Sequence, residues 1–134
     1  MTYSEEDIQA MIEDLKENPD DSTKWHLFGV ALLSIGRYDE AENAFRHCMK
    51  IDKNNAFALG DLGGLYILKR KPKDAIKYLE NSVRLMPENH EYWSALGIAY
   101  LQRNKYKDAL KAFEKSLSIE PDHLDSIISL GLIY

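Results

Sequence analysis

The sequence predicts an all-α solenoid of stacked helix–turn–helix units, and three observations predict it. The chain of 134 residues repeats with a period of 34. Within each period apolar residues recur three and four apart, the spacing of one face of a helix. No alternating, strand-like pattern interrupts them. The period matters most, because a lone helical hairpin cannot bury its apolar face and copies must stack to build a continuous core.

The columns can be read directly. Trp25, Leu59, Trp93 and Ile127 align, as do Phe28, Leu62, Leu96 and Leu130, and Gly29, Gly63, Gly97 and Gly131. Further columns hold Leu32, Tyr66 and Tyr100; Ala41, Ala75 and Ala109; Phe45, Leu79 and Phe113. Small residues in fixed columns let the two helices of a unit approach closely, and the large ones fill the space between successive units. Every one of these is a packing position.

In chain order, Ser4 followed by Glu5, Glu6 and Asp7 marks a helix start, with a hydroxyl cap, acids in the positive first turn and an acid three residues after the cap. Ile8, Met11, Ile12 and Leu15 give this helix one apolar face, and Asn18-Pro19-Asp20-Asp21 stops it. Residues 1–21 thus read as an acidic capping helix, standing where the second helix of an earlier unit would stand.

Three units follow, at 22–55, 56–89 and 90–123. In the first, the leading helix (helix A) carries Trp25, Phe28, Leu32 and Leu33 and ends at Gly36, and the second (helix B) turns Tyr38, Ala41, Ala44, Phe45, Cys48 and Met49 inward. Pro72 opens a helix at a position that needs no amide donor. Gly36, Arg70 and Asn104 share the turn column, so Arg70 is expected in a left-handed conformation that disfavours it by about 1 kcal/mol. Residues 124–134 begin a fourth unit.

Trp93, Leu96, Gly97 and Tyr100, followed by Ala109, Phe113 and Pro121, spell out a motif that resembles the tetratricopeptide repeat (TPR). The first unit keeps Trp25, Gly29, Ala41 and Phe45, with Phe28, Leu32 and Lys53 as departures; the second has Leu59 for Trp and Leu79 for Phe. The resemblance covers 22–123 and implies a right-handed α–α solenoid that binds proteins. It also implies a concave groove lined by helix A, at positions two, five, nine and twelve of each unit. Carried onto this chain, those include His26, Val30 and Leu33; Phe57, Gly60, Gly64 and Ile67; Glu91, Ser94, Ile98 and Leu101; and Asp125 and Ile128, with Asp61 beside them.

Such a groove is apolar with acidic spots. It would take a protein or peptide ligand with hydrophobic anchors and some basic residues. Gly60 and Gly64, four apart on one face, are expected to open a notch for a ligand backbone, offsetting the roughly 1 kcal/mol that each glycine costs a helix. The clamp by which chaperone-binding relatives hold a carboxylate is not expected, because its places hold His26, Val30, Asp61, Glu91 and Ala95.

The chain's end is the second expectation. Ile127, Ile128, Leu130 and Leu132 crowd into the last helix with no partner helix after them, and each buried aliphatic side chain is worth about 1.5–3 kcal/mol. Either a longer solenoid continues, or another molecule covers this face, a homodimer through this helix being one form.

Composition limits the alternatives. Apolar residues make up 45% and charged residues 29%, ordinary for a folded domain. Residues 1–21 hold eight acids against Lys16 alone, leaving the rest slightly basic within a net charge of −5. No apolar run of about 18 residues spans a membrane, nothing resembles a leader, and Cys48 has no cysteine to pair with, so a cytoplasmic protein is expected. His26, His47, His90 and His123 share no metal spacing. With no phosphate loop either, the expectation is a scaffold, not an enzyme, without cofactor or metal. Arg37, Lys69, Arg70, Lys71, Lys73, Arg103, Lys105 and Lys107 align along the turns; the reading is a solvated rim, and nucleic acid is not an expected partner.

Overall fold

A computed structural model describes residues 2–133, without the side chains of Leu124, Asp125, Leu132 and Ile133. Among the described residues there are eight helices and no strand: α1 Glu5–Glu17, α2 Ser22–Ser34, α3 Tyr38–Ile51, α4 Ala56–Leu68, α5 Pro72–Leu85, α6 His90–Gln102, α7 Tyr106–Ile119 and α8 Leu124–Ile133. The backbones of the even-numbered helices approach one another in succession, whereas those of the odd-numbered ones approach only even-numbered neighbours. The result is an inner layer of α2, α4, α6 and α8 and an outer layer of α1, α3, α5 and α7.

Chemistry repeats at the helix ends. Ser4 and Asp7 form a reciprocal capping box at 3.1 and 2.9 Å. Asp21, Asn55 and Asn89, spaced by the period, cap α2, α4 and α6 by accepting the amides of Lys24, Ala58 and Tyr92. Each of the first three inner helices ends in the same two-bond turn: Arg37 N–H donates to Leu32 O and Gly36 N–H to Leu33 O, with Lys71, Arg70, Lys105 and Asn104 doing likewise. This turn demands a left-handed residue. Gly36 (φ +81°), Arg70 (φ +60°) and Asn104 (φ +59°) all adopt it.

Close approach of the helices rests on the glycine column. A Cβ built on Gly29 would lie 2.6 Å from the Phe45 ring, one on Gly63 2.4 Å from Leu79, and one on Gly97 2.7 Å from Phe113. Phe45, Leu79 and Phe113 are each fully buried, so they have no room to retreat. Trp25 and Trp93 lie over the inter-unit turns, their indole N–H groups donating to Pro19 O and Pro87 O at 2.8 and 2.7 Å. Tyr38, expected to point inward, is exposed, and so is Tyr106 two periods later. They stand at the first position of α3 and α7, ahead of the first turn that meets the core.

An ionic network ties the first two hairpins. Lys69 Nζ donates to Asp39 at 2.6 Å and Glu42 at 2.8 Å, the Tyr66 hydroxyl donates to Glu42 at 2.9 Å, and Arg46 bonds both Glu42 and the Tyr66 oxygen. Burial alone would raise the Glu42 pKa, but the bonds from Lys69, Tyr66 and Arg46 outweigh it and hold the carboxyl below its ordinary value. Burial and the Glu42 bond push the Tyr66 phenol up to about 12. The expected basic rim is therefore partly used up: Lys69 is committed here, and Arg37 pairs with Glu40 and, at 3.5 Å, Glu5.

Two outcomes follow. Arg70→Gly should stabilise the protein by about 1 kcal/mol by removing the left-handed penalty, read as a higher urea midpoint at unchanged slope. Because the folded-state pKa of Glu42 is depressed, its contribution is complete above the unfolded value and is lost as pH falls through the folded one. Glu42→Gln should therefore unfold at lower urea at pH 7 yet lose less stability on acidification below about pH 5. A parallel loss in both proteins would show that the network contributes nothing.

Candidate functional site

The inner layer presents one continuous face. Along α4, Phe57, Asp61, Gly64 and Leu68 recur at four, three and four residues and so form a single stripe. Phe57 is 48% exposed and Leu68 56%, high values for such large apolar side chains. Between them nothing lies within 4 Å of where a Gly64 Cβ would stand. Val30 and Leu33 on α2 and Ile98 and Leu101 on α6 flank the stripe, half-buried, and Leu27 is exposed beside them.

A polar bridge crosses the floor. His26 Nε2 lies 2.6 Å from Asp61 Oδ2, and the Tyr92 hydroxyl donates to Asp61 Oδ1 at 3.2 Å, so α2, α4 and α6 are linked through one carboxylate. Burial first, and then the Asp61 charge, drive the Tyr92 pKa far above the ordinary phenol value, which keeps this hydroxyl a donor. The Asp61 charge is thus partly answered from within. Glu91 is exposed and forms no ion pair among the described residues.

Two expected groove residues are corrected. Gly60 is not half of an open notch: a Cβ there would fall 2.5 Å from the Tyr92 ring, which already fills the space. Its glycine is required by packing between α4 and α6. Ser94, one period later, is also buried, at 3% exposure, and its hydroxyl has no hydrogen-bond partner. The opening is at Gly64 alone. Tyr92 was not among the expected site residues, because its column otherwise holds Lys24, Ala58 and Ser126 and shows no consistent type.

At the far end Ile127 is 47% and Ile128 54% exposed, while Leu130 is half-buried; the expectations for Leu132 and Asp125 lie outside the described side chains. Cys48 is buried and its thiol is pushed up to about 11, chiefly by burial, so it is a packing residue without nucleophilic character. His47 packs against Trp25 instead, ring centroids 4.4 Å apart and tilted by 31°. Among the described residues no three His, Cys, Asp or Glu side chains gather as metal ligands, and no helix is long and apolar enough to cross a membrane.

Stacked helix hairpins with an open, partly apolar inner face define an α-solenoid repeat protein. The chain belongs to the tetratricopeptide-repeat family: the cytochrome c-type biogenesis protein H TPR domain profile matches residues 3–127. A crystal structure of MamA superposes with a TM-score of 0.89 at 25% identity, over 96% of this chain and 75% of that one. The first TPR domain of Spaghetti (RPAP3), bound to an HSP90 peptide, matches in fold with a TM-score of 0.81 at 23% identity, over 84% and 89%. The human N-alpha-acetyltransferase 16, NatA auxiliary subunit, is 28% identical over 94 residues, 70% of this chain. The chain spans only about a tenth of that relative's length, the match covering 11% of it.

The two α4 glycines should separate in experiment. Gly60→Ala should destabilise by about 1–3 kcal/mol by displacing Tyr92, whereas Gly64→Ala should stabilise by up to about 1 kcal/mol through helix propensity alone. Urea denaturation of both measures the contrast.

Proposed function

We propose that this protein is a scaffold that binds a peptide or helix of a partner protein on its inner face, and that it does so in the cytoplasm. One observation carries the reading: on the α4 stripe two large apolar side chains stand exposed on either side of the open Gly64. Apolar anchors of a ligand would pack on Phe57, Leu68 and the flanking Val30, Ile67, Ile98 and Leu101, with its backbone crossing at Gly64. Glu91, and Asp61 in part, favour a ligand that also carries basic residues. That the Spaghetti domain, of the same fold, is bound to an HSP90 peptide supports peptide binding at this general level. This chain places Asp61 and Glu91 where a carboxylate clamp would need cations, so the proposed ligand has the opposite charge.

A second reading, assembly through α8, draws on the adjacent exposed Ile127 and Ile128. Light scattering after size exclusion tests it: a dimer that Ile128→Asp converts to monomer supports it, and a monomer at all concentrations removes it.

For the inner face, the test is capture from extract by the unmodified protein beside Gly64→Leu and Ile98→Glu variants checked for helicity by circular dichroism. A partner whose affinity falls at least about tenfold, or 1.4 kcal/mol, in both variants supports the groove. Equal capture by all three proteins would remove it.

A further inference from the structure

The outer layer carries a second surface, independent of the inner-face reading. The backbones of successive outer helices stand apart, and among the described residues a side-chain bond from Arg46 to Tyr78 crosses from α3 to α5. Between each successive pair runs a trench floored by the intervening inner helix. The floor residues follow the repeat: Trp25 and Phe28 in the first trench, Leu62 and Tyr66 in the second, Trp93, Leu96 and Tyr100 in the third.

The chain fills two of the three with its own rings. In the first, the His47 ring packs tilted against Trp25, with centroids 4.4 Å apart, leaving a cleft of about 180 Å³ beside Ile12 and Leu15. In the second, Tyr78 stacks on Tyr66 at 5.6 Å and 16°. The third has neither lid, since the residue in the Tyr78 column is Ala112 and that in the His47 column is Lys115. Its aromatic floor lies under two adjoining clefts of about 280 and 290 Å³, one toward α5 and one toward α7, both lined by Trp93, Leu96 and Tyr100.

The rim has a sign. Arg84 on α5 and Lys111 and Lys115 on α7 border the clefts, and among the described residues none of the three forms an ion pair. Of the two bordering acids, Glu80 accepts the Tyr100 hydroxyl at 2.8 Å, which leaves Asp108 as the only uncommitted carboxylate of the rim.

We propose that the trench between α5 and α7 is a docking site for an acidic segment of a partner protein, one that seats an aromatic or aliphatic anchor on Trp93 and Tyr100 and sets flanking carboxylates against Arg84, Lys111 and Lys115. An aromatic floor desolvated by the anchor supplies the affinity, and the unpaired cations select charge. The ligand is opposite in charge to the one the inner face would take, so the two surfaces can hold different partners at once.

The probe is a fluorescein-labelled peptide with a Leu-Phe pair flanked by glutamates, beside a control with lysines in their place. Binding is followed by anisotropy and by the Trp93 indole N–H resonance, with Trp25 as internal reference. The expected result is a saturable shift at Trp93 for the acidic peptide only. It should weaken at least about tenfold in a Lys111→Glu, Lys115→Glu double variant and be unaffected by Ile98→Glu. Ala112→Tyr, which builds the lid of the preceding trench, should abolish it. If circular dichroism shows that variant unfolded, the double lysine variant decides alone. The proposal is overturned if Trp93 does not move at about 1 mM peptide, if affinity survives the lid or the charge reversal, or if Ile98→Glu removes it. It is equally overturned if Trp93 shifts with protein concentration in the absence of peptide, which would make a second copy the occupant.

Discussion

The contact between a helix-A glycine and a helix-B ring or branched side chain sets the geometry of everything else. Gly29 under Phe45, Gly63 under Leu79 and Gly97 under Phe113 leave no room for a Cβ, and the three large partners are fully buried. That approach fixes how the two helices of each hairpin lie against one another. The angle in turn decides which residues face the next hairpin. Because the contact recurs at a constant interval, each hairpin meets its neighbour in the same way, and the inner helices can touch in succession while the outer ones splay apart.

Against that constant background, the features that set one face of the solenoid apart from another are departures from the repeat. Tyr92 replaces an alanine and a lysine of its column, closes over Gly60 and joins His26 and Asp61 into one bridge across three inner helices. Tyr78 replaces an alanine and closes an outer trench, and the return to Ala112 leaves the next one open. Each tyrosine changes a surface by filling or vacating the same volume, which lets a repeat scaffold acquire distinct faces without altering its backbone.

Electrostatics divides along the same lines. The chain is acidic at its start and near neutral after it, yet local pairing decides what a ligand would meet. Arg37 and Lys69 leave the basic rim to hold Glu40, Asp39 and Glu42. Asp61 is contacted on both oxygens within the groove, while Arg84, Lys111 and Lys115 form no ion pair among the described residues. Equal formal charges thus have unequal reach, depending on whether a neighbour answers them within hydrogen-bond distance.

The sequence by itself determined the repeat, the all-helical class, the capping box at Ser4, the left-handed turn column including Arg70, and the glycine and aromatic packing columns. These rest on interactions within one hairpin or at a fixed period, so residue type and spacing are sufficient. Only the tertiary structure decided that Gly60 is covered and Gly64 open, that Ser94 is buried, that Tyr38 and Tyr106 are exposed, and which outer trench lacks a lid. The first depends on where a side chain from the next hairpin ends, since Tyr92 lies 32 residues from Gly60, and the others depend on where each side chain ends up relative to its neighbours in space. A period predicts that a neighbour is present in every column; the volume that neighbour occupies in three dimensions decides whether the space beside it is filled or free.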